Sequence, residues 1–584
     1  MNKAMYADLV LKNGKIINVL TREIVAGDIA VKGEFILKVG NAADLIGQET
    51  KVVDLQGKFV SPGFIDSHMH FESSMLTVSE FARLSIPSGT TTLVADPHEI
   101  GNALGPAGIK AMTEEAKCVP NNVYFVVPCL TPDSPGLETA GYDITSKDME
   151  EILNYYNVIG IGELQGFSNA KHVYKNSPEI IDDLVVSTGY AKSIGKIVDG
   201  NAPELFGSEL AAHIICGGGV VSCHETTKKE ECIEKLRQGV YVFMREGSTQ
   251  RNMSECIKAV TEEGMDSRRC ILVTDDMVAE DLEKYGHMND VVRRTITQGV
   301  DPVEAIQMVT INPAAYFKFE HLGVLAPGKQ ADIVILDNLQ NMNVQQVYIK
   351  GKQVAENKKT IVHIPEYEYP ITVKMSVKRE KINLQDLAVK TRKTGKVAAR
   401  VIGVIPDQNL TEALQANLFV DNGIVMADTE QDIIHMACLE RYGRNKNIGR
   451  AFVKGFGLKK GAFAESIAHD THNIIAVGAN LEDMALAVNR VIEMNGGISV
   501  VNNKKVLAEM RLPIAGLMTD ELSGEEVTQK LMELHECIAQ LGGTIHAPLM
   551  HLSFLALTTS PVWKITDYGL IDVDNYTVLP PLVD

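Results

Sequence analysis

The rhythm of residues 64–274 constrains this chain more than any other feature: eight short apolar runs recur, with helix-compatible stretches between them. The runs are Phe64 to Ser67, Thr91 to Ala95, Val123 to Val127, Val158 to Gly162, Lys196 to Val198, Gly219 to Ser222, Val240 to Met244 and Cys270 to Thr274. Each is nearly continuous in apolar residues, as expected of strands buried on both faces. Segments such as Asp148 to Tyr156 and Lys228 to Gln238 fit helices between them. Eight such units within residues 61–320 predict a TIM (β/α)8 barrel, an α/β fold whose active site gathers at the carboxyl ends of the strands. A doubly wound sheet shares the rhythm, but the count favours the barrel.

At 584 residues the chain exceeds one barrel, so further units are expected. Before the barrel, apolar runs alternate with turns: Leu9-Val10-Leu11, Asn13-Gly14, Ile16-Ile17-Asn18-Val19, then Val31 to Leu37. Asn-Gly between apolar runs predicts a hairpin turn, since both residues tolerate positive φ. The same idiom returns at Ala331 to Leu336 and Val347 to Lys352. Together these pieces predict a small composite β-sandwich domain, residues 1–60 and 321–365, assembled from both flanks of the barrel. After Ile364-Pro365-Glu366-Tyr367, apolar runs at Val401 to Ile405, Ile474 to Val477 and Ile498 to Val501 suggest strands. Amphipathic stretches at Asn480 to Asn495 and Glu525 to Gln540 accompany them, which predicts a separate α/β domain over residues 366–584.

Residues able to ligate a metal stand where the barrel runs stop. Alternation along an extended strand puts His68 and His70 on one face, where two neutral imidazoles can meet one divalent cation. His-x-His alone is a weak signal. Glu163 follows the fourth run, His224 the sixth and Asp275 the eighth, each at the rim where a barrel site belongs. Asp96, His98 and Glu99 follow the second run, close to the same rim.

The segment from Pro62 through His70 to Glu72-Ser73-Ser74-Met75 resembles the first strand of the metal-dependent amidohydrolases, and more narrowly of the bacterial adenine deaminases. Gly89-Thr90-Thr91-Thr92, Asp96-Pro97-His98-Glu99-Ile100, Arg245-Glu246-Gly247-Ser248, Thr274-Asp275-Asp276, Gly286-His287 and Asn312-Pro313-Ala314 continue the likeness. His469-Asp470-Thr471-His472-Asn473 and Leu512 to Leu517 carry it into the last domain. The resemblance implies hydrolysis of adenine to hypoxanthine and ammonia by a water that bound metal converts to hydroxide near neutral pH. It implies two divalent ions, Mn2+ or Fe2+, with His68, His70 and Asp275 on one, His224 on the other and Glu163 between them. Asp275 would also take the water's proton and pass it to ammonia, while Asp96, His98 and Glu99 would contact or protonate the purine.

Two positions depart from the family pattern. Asn201, in Asp199-Gly200-Asn201-Ala202-Pro203, stands where the family has a histidine ligand. Its neutral amide oxygen is a weaker donor, so the second ion is expected to bind less tightly. Cys223 stands where an aspartate is usual; one residue before His224, it should face the core. These changes keep two alternatives open: a non-deaminating paralogue with a binding or regulatory role, and an amidohydrolase acting on another cyclic amidine or amide. His469 to Asn473 fit either a lid over the pocket or a hydrogen-bond cluster between domains, the second being favoured.

Charge narrows the partners. Lys and Arg number 56 against 75 Asp and Glu, and the formal charge of -19 repels a nucleic-acid backbone. The basic stretch Lys374 to Lys396 is diluted by acids and reads as a solvated face. There is no G-x-x-x-x-G-K-[ST] loop, no H-E-x-x-H and no Pro-Cys-x-x-Cys of the zinc deaminases. The expected partner is a small molecule, adenine, and a 45% apolar composition permits a homodimer. No run approaches the ~18 apolar residues of a membrane span and no signal-peptide region opens the chain, so a cytoplasmic protein is expected. Nine scattered cysteines without a C-x-x-C pair are expected to be free thiols, most of them buried.

Overall fold

Eight parallel strands follow the eight apolar runs in the computed structural model, which describes residues 6–164, 178–216, 218–406 and 408–583. They are β1 (Phe64–Met69), β2 (Thr90–Ala95), β3 (Asn122–Val127), β4 (Val158–Leu164), β5 (Ile197–Gly200), β6 (Ser222–Cys223), β7 (Tyr241–Arg245) and β8 (Cys270–Val273). Backbone pairing runs β5-β4-β3-β2-β1 in one arc and β6-β7-β8 in another. At the β8–β1 seam, Asp275 N–H donates to the His68 carbonyl at 3.0 Å, and Met69 and Asp275 form a parallel bridge. The β5–β6 seam has no ladder and is closed by side chains. Tyr316 Oη donates to Asp199 Oδ1 at 3.1 Å and lies 2.8 Å from Ser222 Oγ, itself a donor to the same carboxylate oxygen. β6 begins only at the end of the run expected to form it, because Gly218 and Gly219 turn the chain with φ of 75° and 76°. Ile65, Val94, Val126, Phe243 and Ile271 pack with Tyr316, Phe317 and Phe319, so the barrel interior is a core and not a pore.

A nine-stranded sheet joins the two flanks of the barrel. Leu9–Asn18, Glu23–Lys32, Phe35–Gly40, Lys51–Asp54 and Phe59–Pro62 come from before it, and Ile333–Leu336, Val344–Ile349, Lys352–Glu356 and Lys359–Thr360 from after it. The join is the antiparallel pair Phe59–Pro62 with Ile333–Leu336. Ile36 N–H donates to Lys329 O at 2.9 Å and Ala331 N–H to Glu34 O at 2.8 Å, drawing the sheet back over a core that includes Leu11, Ile29, Ile36, Val60, Ile335 and Tyr348.

The hairpin expected at Asn13-Gly14 is not formed: Leu9–Asn18 is one strand, and Asn13, at φ 57°, makes a bulge in it. Asn13 N–H bonds Asp28 and its side chain bonds Asp54, both at 3.0 Å, while a Cβ on Gly14 would lie 2.7 Å from Val60. Tertiary contacts thus convert a local turn signal into a bend. The reversal comes later, where Asn18 Oδ1 accepts from Leu20 and Thr21 N–H.

The C-terminal region builds another nine-stranded sheet, antiparallel except where Gly395–Val404 runs beside Ile448–Lys454. The helix Leu481–Glu493 lays Met484, Ala487, Val488 and Val491 over Ala464, Ala476 and Val501 of that sheet. This region grips the loop after β3. Asp567 accepts from Thr139 N–H at 3.0 Å and Thr139 Oγ1 at 2.8 Å, and Thr558 Oγ1 donates to Glu138 at 2.8 Å. No helix among the described residues is long and apolar enough to cross a membrane.

His435, on the strand Ile433–Leu439, is buried beside Phe452 with ring centroids 5.5 Å apart, and burial pushes its pKa from 6.5 down to about 4. Between those values the unfolded chain binds a proton that the folded chain refuses. Its contribution to stability is therefore present above pH 6.5 and is lost as the pH falls through 4. About 3 kcal/mol should disappear over that interval in urea unfolding, and His435→Phe should flatten that part of the profile.

Candidate metal centre

β1 delivers His68 and His70 to the rim, β4 Glu163, the turn after β6 His224 and the turn after β8 Asp275. Glu163 Oε1 lies 3.1 Å from His70 Nε2, 3.3 Å from His68 Nε2 and 3.8 Å from His224 Nε2. Asp275 Oδ1 lies 3.4 Å from His70 Nε2 and 3.8 Å from His68 Nε2. The His68 and His224 rings stack at 3.8 Å. Glu163 at φ 40° and Asp275 at φ 63° both occupy the left-handed region, which costs a non-glycine residue roughly 1 kcal/mol or more. Asp96 fits against β4 because position 162 is glycine; a Cβ there would meet its Oδ2 at 2.2 Å.

This donor set suits divalent cations. His68-His70-Glu163 and His68-His224-Asp275 each bring their ligand atoms within 4.8 Å of one another. His68 Nε2 is buried without a well-formed hydrogen bond, as expected of a nitrogen shaped for another partner. His70 Nδ1 donates to the Asp96 carbonyl at 3.0 Å, which leaves its Nε2 facing the two carboxylates. Burial alone would depress the His68 imidazole, but Glu163 and Asp275 outweigh it and push its pKa up to about 9. Burial would likewise raise Asp275, but His70 and the Arg245 guanidinium hold it well below the usual carboxylate range. Glu163 is also held well down, by His68 and His70 against burial. His224 moves the other way from its neighbours: burial and the His68 charge keep it neutral, as a ligand must be.

A ring of polar groups surrounds these five. Arg245 Nη1 bridges Asp275 Oδ2 at 3.1 Å and Glu225 Oε1 at 2.8 Å. His98 Nε2 is 2.8 Å from Asp133 Oδ2, and its Nδ1 is 3.7 Å from Glu163 Oε2. Glu99 Oε2 is 3.3 Å from His70 Nδ1, and Ser73 Oγ donates to Asp276. Burial and the Glu99 charge push Glu72, whose Oε1 accepts from Ile100 N–H, up to about 8. The C-terminal region reaches in as well: His469 Nε2 is 3.7 Å from Glu99 and 3.8 Å from Asp276, with Nδ1 2.6 Å from Asp470.

All the residues singled out in the sequence thus stand at or beside one rim, with Asn201 the least engaged. It lies just past β5, buried, with no hydrogen-bond partner for its Oδ1. Cys223 faces the core with Ala202, Leu210 and Val240, and its Sγ is 3.2 Å from the buried Lys235 Nζ. His469 to Asn473 form contacts between the domains, the favoured of the two readings, and also extend it. Asn473 does tie the domains, donating to the Thr139 carbonyl at 2.9 Å, but His469 enters the polar cluster itself. Sequence reasoning missed Arg245, Asp276, Asp133 and Asp470 as members of the site. The first two stood at strand ends like the others, and the last two sit in loops without such a marker.

Residues 59–354 match the amidohydrolase family, and residues 408–577 match the adenine deaminase C-terminal domain. The chain is 69% identical over 584 residues to adenine deaminase 1 of Carboxydothermus hydrogenoformans, covering 100% of this chain and 97% of that one. It is 42% identical over 576 residues to an adenine deaminase of Mesorhizobium japonicum, covering 98% and 94%. Among solved structures, a beta-aspartyl dipeptidase of Fervidobacterium islandicum AW-1 overlaps with a TM-score of 0.46 and 17% identity, over 61% of this chain and 98% of its own. Membership of the amidohydrolase family implies a divalent metal at this rim. The chain belongs to the amidohydrolase family, in its adenine deaminase branch.

Proposed function

We propose that this chain hydrolyses adenine to hypoxanthine and ammonia. The convergence of His68, His70, Glu163, His224 and Asp275 from four separate strand ends carries this reading. Two divalent ions, Mn2+ or Fe2+, would be held by His68, His70 and Asp275 on one side and by His224 on the other. Glu163 would lie between them, its charge offsetting their repulsion. When bound, such ions act as Lewis acids and bring the pKa of water into the neutral range.

The protein's own groups account for the proton traffic. Asp275, kept ionised by His70 and Arg245, takes the proton of the attacking water and returns it to N6, which leaves as ammonia. Attack at C6 places charge on N1, so a donor is needed there, and the second proton of the water, released as the C6 carbonyl forms, restores that donor. Asp96 and Glu99 have buried oxygens without hydrogen-bond partners, whereas His98 is anchored on Asp133. Burial and the Glu163 charge push Asp96 well up, toward the protonated form such a donor requires. The 69% identity to a protein named adenine deaminase 1 weighs against a non-deaminating paralogue and against another cyclic amidine.

Protein loaded with Mn2+ should convert adenine to hypoxanthine with release of one ammonia per turnover, and no ammonia from fully loaded wild-type protein would end this reading. Asp275→Asn should lower kcat by about 10²- to 10⁴-fold with the fold intact by circular dichroism. The second ion is expected to be the weaker because Asn201 offers an amide oxygen. Asn201→His should raise metal content per chain after dialysis against limiting Mn2+, and equal content in the two proteins would remove residue 201 from the ligand set.

A further inference from the structure

The purine edge remote from the reacting carbon meets none of the groups assigned so far. With C6 of adenine at the barrel rim, N3 lies para to it and points away, and N9–H stands beside N3. That edge presents one acceptor and one donor side by side.

A cavity lies between the barrel and the C-terminal region, and it meets the polar cluster at the rim through His469 and Ser73. Val278 of the barrel and Ile467, Leu531, Leu549 and Met550 of the C-terminal region give it apolar walls suited to a flat ring. One strand supplies its polar axis. Glu465 and Ile467 of Ala462–Ala468, and His469 just after it, line the cavity, while Ala464 packs in the core beneath the helix Leu481–Glu493. His469 marks the inner end, since its Nε2 approaches Glu99 and Asp276. Glu465 is fully buried, and neither of its carboxylate oxygens has a hydrogen-bond partner. A buried carboxyl left unpaired is costly, and such groups in native structures usually await a ligand, an ion or water.

We propose that Glu465 determines specificity by reading the N3/N9–H edge of adenine, its O–H donating to N3 and its carbonyl oxygen accepting from N9–H. An ionised carboxylate would accept from N9–H but face the N3 lone pair, so the pairing needs the neutral acid. Burial pushes Glu465 well above the usual carboxylate range, against the pull of His469. The inference rests on the adenine deaminase reading of the site and adds a reason for preferring the free base. A ribose on N9 removes the donor and collides with the carboxyl that would receive it.

The test compares adenine with 3-deazaadenine, which has C–H in place of N3, and with 9-methyladenine, which lacks N9–H. Wild-type, Glu465→Gln and Glu465→Leu proteins are used at matched metal content. Wild-type enzyme should bind each analogue about tenfold or more weakly than adenine. Glu465→Leu should lose about tenfold or more in kcat/KM for adenine, chiefly through KM, and should shrink the analogue gap to about threefold. Glu465→Gln, whose amide can donate and accept at the same two places, should keep most of that gap. An undiminished gap in Glu465→Leu overturns the proposal, and so does a wild-type enzyme indifferent to 3-deazaadenine. The wild-type comparison decides by itself if the leucine variant does not fold. A protein that binds adenine calorimetrically but releases no ammonia fails the functional reading alone, because the same binding gaps still report on Glu465.

Discussion

The centre depends on a balance between buried imidazoles and buried carboxylates. Charges taken out of water are tolerated only when each meets an opposite charge or a cation. Glu163 and Asp275 face His68 and His70 at 3.1 to 3.8 Å, and Arg245 holds the other Asp275 oxygen. Metal ligation requires both imidazoles neutral, so binding of cations here would release any proton that His68 or His70 carries. The same balance rationalises the left-handed backbone at Glu163 and Asp275, which turns two carboxylates toward one point.

The C-terminal region completes this arrangement instead of merely adjoining it. Asp567, Asn473 and Thr558 hold the loop after β3, and that loop carries Asp133, the partner of His98. The strand Ala462–Ala468 leads directly to His469 at the rim. One surface therefore serves two ends: it positions the loop that orients His98 and it walls the cavity beside His469.

The barrel was legible in the sequence because strands covered on both faces leave unbroken apolar runs, and polar residues that end such runs stand out. His68, Glu163, His224 and Asp275 were found in that way. What escaped was set by contacts distant along the chain. Asn13-Gly14 has the composition of a turn, yet Asp28, Asp54 and Val60 hold it in a strand. His469 lies in another domain from Glu99, and nothing local announces that the two meet. Arg245 was visible as part of a motif, but its tie to Asp275 exists only once β7 and β8 lie side by side.

The two seams of the barrel give the rim unequal stiffness. Where β8 meets β1, backbone bonding welds His68 to Asp275, so the distance between these side chains is fixed by the main chain. Where β5 meets β6, side chains bridge the gap, Tyr316, Ser222 and Asp199 on one hand and Cys223 Sγ accepting from Ala202 N–H on the other, and Asn201 and His224 stand on opposite banks of it. That side owes its spacing to side-chain bonds, with no rung of sheet across it. One half of the rim is therefore held by main chain and the other by side chains, so substitutions at a handful of positions could loosen the second half and leave the first untouched.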